Sequence, residues 1–115
     1  LTHSKAFVVV AVHPTKAIGI DIEMPNNKLK RIMNRLFTTA ENEMVNGDLI
    51  KMSWFWSAKE ALYKLYGKRG IDFRKNLTLN FSETEFSGKI NLPDYQSNHQ
   101  LTIEEIDKYY LVIAV

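Results

Sequence analysis

Apolar positions along the chain fall into runs, alternations and helical stripes, and each predicts an element. Phe7 to Val12 is a continuous, β-branched run and predicts a buried strand. His13-Pro14-Thr15-Lys16 predicts a turn, with Pro14 ending the ladder. Ala17 to Glu23 predicts a second strand, antiparallel to the first because the link is so short. Within it Gly19-Ile20-Asp21-Ile22-Glu23 alternates, so Ile20 and Ile22 share one face and Asp21 and Glu23 the other.

From about Lys28 to Leu36 the period changes. Leu29, Ile32, Met33 and Leu36 recur at helical spacing, while Lys28, Lys30, Arg31 and Arg35 ride the opposite, solvated face. Thr38-Thr39-Ala40-Glu41 is a capping-box pattern that starts a short helix, and Asn46-Gly47 stops it. Asp48 caps the longest helix, Leu49 to Tyr66, which stops at Gly67. Its apolar stripe is Ile50, Trp54, Ala58, Ala61 and Leu65, thickened by Phe55, Leu62 and Tyr66. Strands follow at Asn76–Phe81, Phe86–Asn91, Gln100–Ile106 and Tyr109–Val115. Ser87-Gly88, Pro93-Asp94 and Asp107-Lys108 mark turns or irregularities near them. The pattern predicts an α+β fold, an antiparallel sheet packed against one long core helix plus shorter helices, in a single domain over residues 1–115.

Composition narrows the function. At 115 residues, 45% hydrophobic and 24% charged, the chain has a globular composition and length for one modest core. A net charge of +2 is too small to argue for nucleic acid. No apolar run approaches the ~20 residues that span a bilayer. With no cysteine there is no disulfide and no thiol nucleophile, in keeping with a reducing, cytoplasmic setting. The abrupt start at Leu1 raises the expectation of a fragment or a processed product.

Candidate chemistry lies in two stretches. Asp21 and Glu23 repel each other on one strand face unless a cation or proton intervenes. Alone they read as exposed acids at a strand end. Trp56-Ser57-Ala58-Lys59-Glu60-Ala61-Leu62-Tyr63-Lys64 sets Glu60 and Lys64 four apart on one helix face, which alone reads as an ordinary surface ion pair. Together, Asp21, Glu23 and Glu60 can supply oxygen ligands to Mg²⁺, and Lys59 and Lys64 can bind a phosphate bridged to the ion. That combination suits phosphoryl chemistry. His13 and His99 lack metal-ligand spacing and receive no role.

The same two stretches resemble the paired signature of the 4′-phosphopantetheinyl transferases. That signature is a Gly-x-Asp strand and, about forty residues on, an aromatic-Ser-x-Lys-Glu-(Ala/Ser)-x-x-Lys helix; here Lys59 follows Asp21 by 38 positions. The motifs are specific as a pair and weak singly. The likeness extends over the whole chain and looks closest to the C-terminal half of the surfactin-type, pseudo-dimeric enzymes. Thr2-His3-Ser4 ahead of a valine-rich strand resembles their Ser-His-Ser segment, with Thr2 keeping the hydroxyl. The small trimeric holo-acyl-carrier-protein synthases usually lack the second acid, here Glu23.

The resemblance implies Mg²⁺-dependent transfer of the 4′-phosphopantetheine arm of coenzyme A to a serine of an apo acyl or peptidyl carrier protein, releasing 3′,5′-ADP. By position, Asp21, Glu23 and Glu60 are the implied Mg²⁺ ligands. Lys64 is implied to hold the pyrophosphate, Thr2 and His3 to contact a coenzyme A phosphate, and Lys59 to neutralise phosphate charge. Glu41 falls at the implied general base, and equally in the capping box. Because surfactin-type enzymes place the site between two halves, a non-catalytic half-domain needing another half or a homo-oligomer is the alternative. Some other Mg²⁺ phosphotransferase or phosphodiesterase stands as a third. Carrier proteins are acidic at their docking helix, so Lys28, Lys30, Arg31 and Arg35 become candidates for steering.

Overall fold

A computed structural model describes residues 17–115, together with the backbone of two short strands, β1 (Thr2–His3) and β2 (Val8–Val9), which pair antiparallel. Strand β3 (Gly19–Glu23) is followed by helices α1 (Leu29–Leu36), α2 (Thr39–Val45) and α3 (Leu49–Tyr66). Then come β4 (Leu77–Phe81), β5 (Phe86–Leu92), β6 (Tyr95–Ile106) and β7 (Tyr109–Ala114). The second sheet has five antiparallel strands in the order β3-β7-β6-β5-β4, with α3 packed on it, so the α+β expectation holds.

The helix boundaries follow from their caps. Thr38 and Glu41 form the reciprocal capping box at α2. Asp48 Oδ1 accepts the Ile50 and Lys51 amides at 2.9 and 3.3 Å at the start of α3. Helix α3 buries Met52, Phe55, Ala58, Ala61 and Leu62, against Leu77, Leu79, Phe86, Ile90, Leu101, Val112 and Ala114 from the sheet. Ile50, expected in this stripe, is instead 41% exposed one turn from the cap.

The sheet departs from expectation at three places. Residues 17–23 were expected to pair with the preceding strand; among the described residues, β3 pairs with β7. Ile20 faces Ile113 and Ile22 faces Leu111 across that ladder. These apolar cross-strand pairs fix a non-local register that a short link cannot reveal. Ser87-Gly88, read as marking a turn or an irregularity, lies inside β5, where Gly88 admits α3: a Cβ there would meet Leu62 Cδ1 at 2.6 Å. Strand β6 starts at Tyr95, five residues before the expected Gln100, because the turn at Pro93-Asp94 feeds it directly.

Strand β3 thus has two different faces. Ile20 and Ile22 join Leu111 in a small apolar cluster on one side. Gly19 and Asp21 face α3 on the other. Gly19 is what lets the strand come so close, since a Cβ there would lie 1.8 Å from the Ala61 carbonyl oxygen.

Candidate active site

The close approach at Gly19 seats Asp21 against α3. Ser57 Oγ donates to Asp21 Oδ2 at 3.0 Å, and Lys64 Nζ donates to Asp21 Oδ1 at 2.9 Å. Ser57, Glu60 and Lys64 are spaced three and four apart, so one stripe of α3 looks across at the acidic face of β3. Ser57 is fully buried. Its part was missed in the sequence, although its place on the Glu60–Lys64 stripe carried the signal.

The acids are crowded. Burial raises the Asp21 carboxyl above its ordinary value, against the lowering pull of Lys64 and of hydrogen bonds from Glu23 and Ser57. Burial and then the Asp21 charge push Glu23 up to about 8, and Glu23 keeps a proton that it donates to Asp21. Glu60 is also raised, by burial first and by Asp21 second. The two strand carboxyls therefore share a proton in the absence of a divalent cation, as two acids forced together must.

That donor set fits Mg²⁺. It is all oxygen, negatively charged and undercompensated, and Mg²⁺ takes one or two carboxylates and completes its octahedron with water and substrate phosphate. Among the described residues, however, no group of three or more acidic or histidine side chains gathers as a preformed metal site. The expected ligands Asp21, Glu23 and Glu60 stand near enough for their charges to act on one another, without closing into such a group.

Two expected site residues point elsewhere. Lys59 is one residue from Glu60, which turns it about 100° around the helix and into the interior. Its Nζ lies 2.6 Å from Glu41 Oε1 and donates to the carbonyls of Leu36 at 2.7 Å and Phe73 at 2.8 Å. The Lys59 side chain is 0% exposed and that of Glu41 1%. Burial lowers the Lys59 ammonium, with Glu41 pulling it back up. Glu41 Oε1 also accepts the Thr38 amide at 2.8 Å, and Oε2 accepts the Leu79 amide at 2.8 Å. This corrects the expectation for both. All three ammonium protons of Lys59 are committed to protein oxygens, leaving none for phosphate. Both Glu41 oxygens are committed inside the fold, leaving the carboxylate no path to a carrier serine. The side chains of Thr2 and His3 lie outside the described residues.

Strands and α3 also bring an aromatic group to this end of the sheet. Tyr110 sits opposite Glu23 in the ladder, and its ring lies edge-on to Trp54 at 5.7 Å.

Comparison with known proteins supplies the family. The family model described as ACPS, 4′-phosphopantetheinyl transferase superfamily, matches residues 17–114. Among solved structures, the holo-[acyl-carrier-protein] synthase of Helicobacter pylori in complex with coenzyme A is similar at a TM-score of 0.65 and 17% identity, over 85% of this chain and 97% of that one. The Neisseria meningitidis holo-[acyl-carrier-protein] synthase gives 0.61 and 22%, over 86% and 97%. The acyl carrier protein synthase of Mycobacterium tuberculosis gives 0.64 and 14%, over 85% and 93%. At such identities the likeness shows the fold. A search of curated proteins returns no match.

Proposed function

The chain belongs to the 4′-phosphopantetheinyl transferase superfamily, and from that premise we propose that it moves the 4′-phosphopantetheine arm of coenzyme A onto a serine of an apo carrier protein, with Mg²⁺, releasing 3′,5′-ADP. The observation that carries the reading is the convergence of Asp21 and Glu23 from β3 with Ser57 and Lys64 from α3 at one buried-to-exposed boundary.

Each residue has a task that its position allows. Asp21, Glu23 and Glu60 would hold the ion, drawing together around it, with Ser57 orienting Asp21. Mg²⁺ held there would supply charge neutralisation of the pyrophosphate and make the phosphorus more electrophilic. Lys64 holds the pyrophosphate on the open side. The carrier serine oxygen attacks the phosphorus that bears pantetheine. The bond from that phosphorus to the 5′-phosphate oxygen of 3′,5′-ADP breaks, and the serine proton passes to solvent water. Lys59 and Glu41 stay outside this scheme and brace the helix that carries Glu60 and Lys64. Thr2 and His3 are proposed coenzyme A contacts through the Thr2-His3-Ser4 resemblance alone. Glu23 and that same segment support a surfactin-type affinity.

Labelling of an apo carrier protein by fluorescent coenzyme A tests the reading. Labelling that requires Mg²⁺ and is abolished in Asp21→Ala and Glu60→Ala supports it; robust labelling by both variants sinks the metal assignment. A second reading, a half-site completed by another half or subunit, draws on the absence, among the described residues, of a group of three ligands that could hold a metal ion. Light scattering beside the labelling assay separates them: an inactive monomer supports the second reading.

A further inference from the structure

Among the described residues the five-stranded sheet ends at β4. The Asn91 amide donates to the Asn76 carbonyl and the Ser82 amide to that of Glu85, both at 2.8 Å, at the two ends of the β4–β5 ladder. Bonding alternates along an antiparallel pair, so Thr78 and Asn80 bond toward β5. Leu77, Leu79 and Phe81 therefore turn their backbone N–H and C=O groups away from it. A row of such groups is a template for another strand. At Leu79, the middle residue of β4, the amide donates instead to Glu41 Oε2 at 2.8 Å, and both residues are buried. The other oxygen is fixed from the opposite side. Oε1 accepts the Thr38 amide at 2.8 Å and lies 2.6 Å from the Lys59 ammonium, which neutralises the charge. A carboxylate oxygen thus stands where the carbonyl of a next strand would stand.

The strand so covered is suited to pair with itself. Asn76-Leu77-Thr78-Leu79-Asn80-Phe81-Ser82 alternates and carries no charge, proline or glycine, the composition of segments that self-associate. Two copies of β4 laid antiparallel about a two-fold axis at Leu79 would exchange the Leu79 N–H and C=O groups. We propose that Glu41 is an edge stop: by taking the Leu79 amide it pins the start of α2 against β4 and keeps that strand from pairing with β4 of a second copy of this chain. The stop stands apart from the transfer reaction proposed above, and neither depends on the other.

Glu41→Gln isolates the contact. Thr38 and Lys59 both donate to Oε1, so the amide oxygen of the variant keeps that place and its NH₂ meets the Leu79 N–H, donor against donor. Hydrogen exchange followed by nuclear magnetic resonance reads the result. The Leu79 amide should exchange about tenfold or more faster than in wild type, while the Thr38 amide changes by less than about threefold. Unchanged exchange at Leu79 overturns the stop, and so does equal acceleration at both amides, which means a general loosening. Analytical ultracentrifugation reads the pairing. Glu41→Gln should associate beyond wild type's own state as concentration rises. Adding Asn80→Lys, a charge at an exposed position of β4, should suppress that association. No added association, or association indifferent to Asn80→Lys, overturns the pairing with a second copy. Should Glu41→Gln not fold, Glu41→Asp, whose shorter side chain cannot hold Thr38, Lys59 and Leu79 at once, goes through the same measurements with the same outcomes deciding.

Discussion

Lys59 Nζ lies 2.6 Å from Glu41 Oε1, and both side chains are buried. The pair ties together parts distant in sequence. Lys59 comes from α3 and also holds the end of α1 through Leu36 and the loop before β4 through Phe73. Glu41 caps α2 through Thr38 and takes the Leu79 amide of β4. Removing one member leaves an uncompensated charge in the interior, at a cost of about 3–5 kcal/mol. Lys59→Ala should therefore unfold at markedly lower urea concentration than wild type. A loss below about 1 kcal/mol, the range of exposed pairs, would show that the pair is not sealed from water.

The sequence made part of this visible. Alternation placed Asp21 and Glu23 on one face of β3, and capping residues placed α2 and α3. A stripe at three-and-four spacing joined Ser57 to Glu60 and Lys64, though Ser57 was read only as part of a motif. What stayed hidden depends on tertiary contact. Lys59 adjoins Glu60 in the chain, and one residue's rotation decides that it faces Glu41 rather than Asp21. Helical spacing shows relative faces, not which face meets the sheet. The partner of β3 lies about ninety residues away in β7, chosen by Ile20–Ile113 and Ile22–Leu111 matching that no local pattern displays. Ser87-Gly88 reads locally as a turn or an irregularity, and Gly88 is a place where α3 presses on β5.

Gly19 sets how near the acids come to α3. Its missing Cβ leaves room for the Ala61 carbonyl, and an added methyl would lie 1.8 Å from that oxygen. Backbone on both sides has no rotamer to yield, so β3 must shift. Gly19→Ala should lose on the order of 1–3 kcal/mol of stability, the usual range for overpacking. It should also lose Mg²⁺-dependent labelling, because Asp21 moves with the strand. A variant of wild-type stability and activity would mean that the two elements separate without strain.

Ser57 holds Asp21 Oδ2 from the interior, where no water replaces it. Ser57→Ala leaves a buried carboxylate oxygen without that donor, worth about 1–3 kcal/mol. The fold loses little contact area, so the deficit should appear in the site. Apparent Mg²⁺ affinity in the labelling assay should fall by roughly 5- to 100-fold. Ser57→Thr, which keeps the hydroxyl, should recover part of it. Unchanged Mg²⁺ dependence in Ser57→Ala would remove Ser57 from the positioning of Asp21.

The four basic residues of the α1 region, Lys28, Lys30, Arg31 and Arg35, are all exposed, whereas Leu29 is buried beneath them. Exposed charge of one sign speeds encounter with an acidic partner, and salt screens the effect. Reversing Lys30 and Arg31 to Glu should slow carrier labelling at low ionic strength, and the gap to wild type should narrow as salt rises. Labelling that is indifferent to the reversal at low salt would move the docking surface elsewhere.

Glu23 makes the metal-free protein pH-dependent, and the sign follows from the direction of its shift. Its carboxyl is pushed from 4.5 up to about 8, by burial and then by the Asp21 charge. Between those values the folded chain keeps a proton that the unfolded chain has given up. Stability therefore falls as pH rises through that window, and changes little from this group above about 8. Asp21 and Glu60 are raised as well and add to the fall in the same direction. Mg²⁺ binds the deprotonated carboxylates, so its affinity should climb across the same window while protons are released into buffer. Thermal unfolding at several pH values, with chelator and with saturating Mg²⁺, checks both. The melting temperature with chelator should decline from pH 5 toward pH 8, and the increment from Mg²⁺ should grow over that interval. Glu23→Gln, which cannot give up the proton, should flatten both trends; a wild-type slope in that variant would assign the titration to another group.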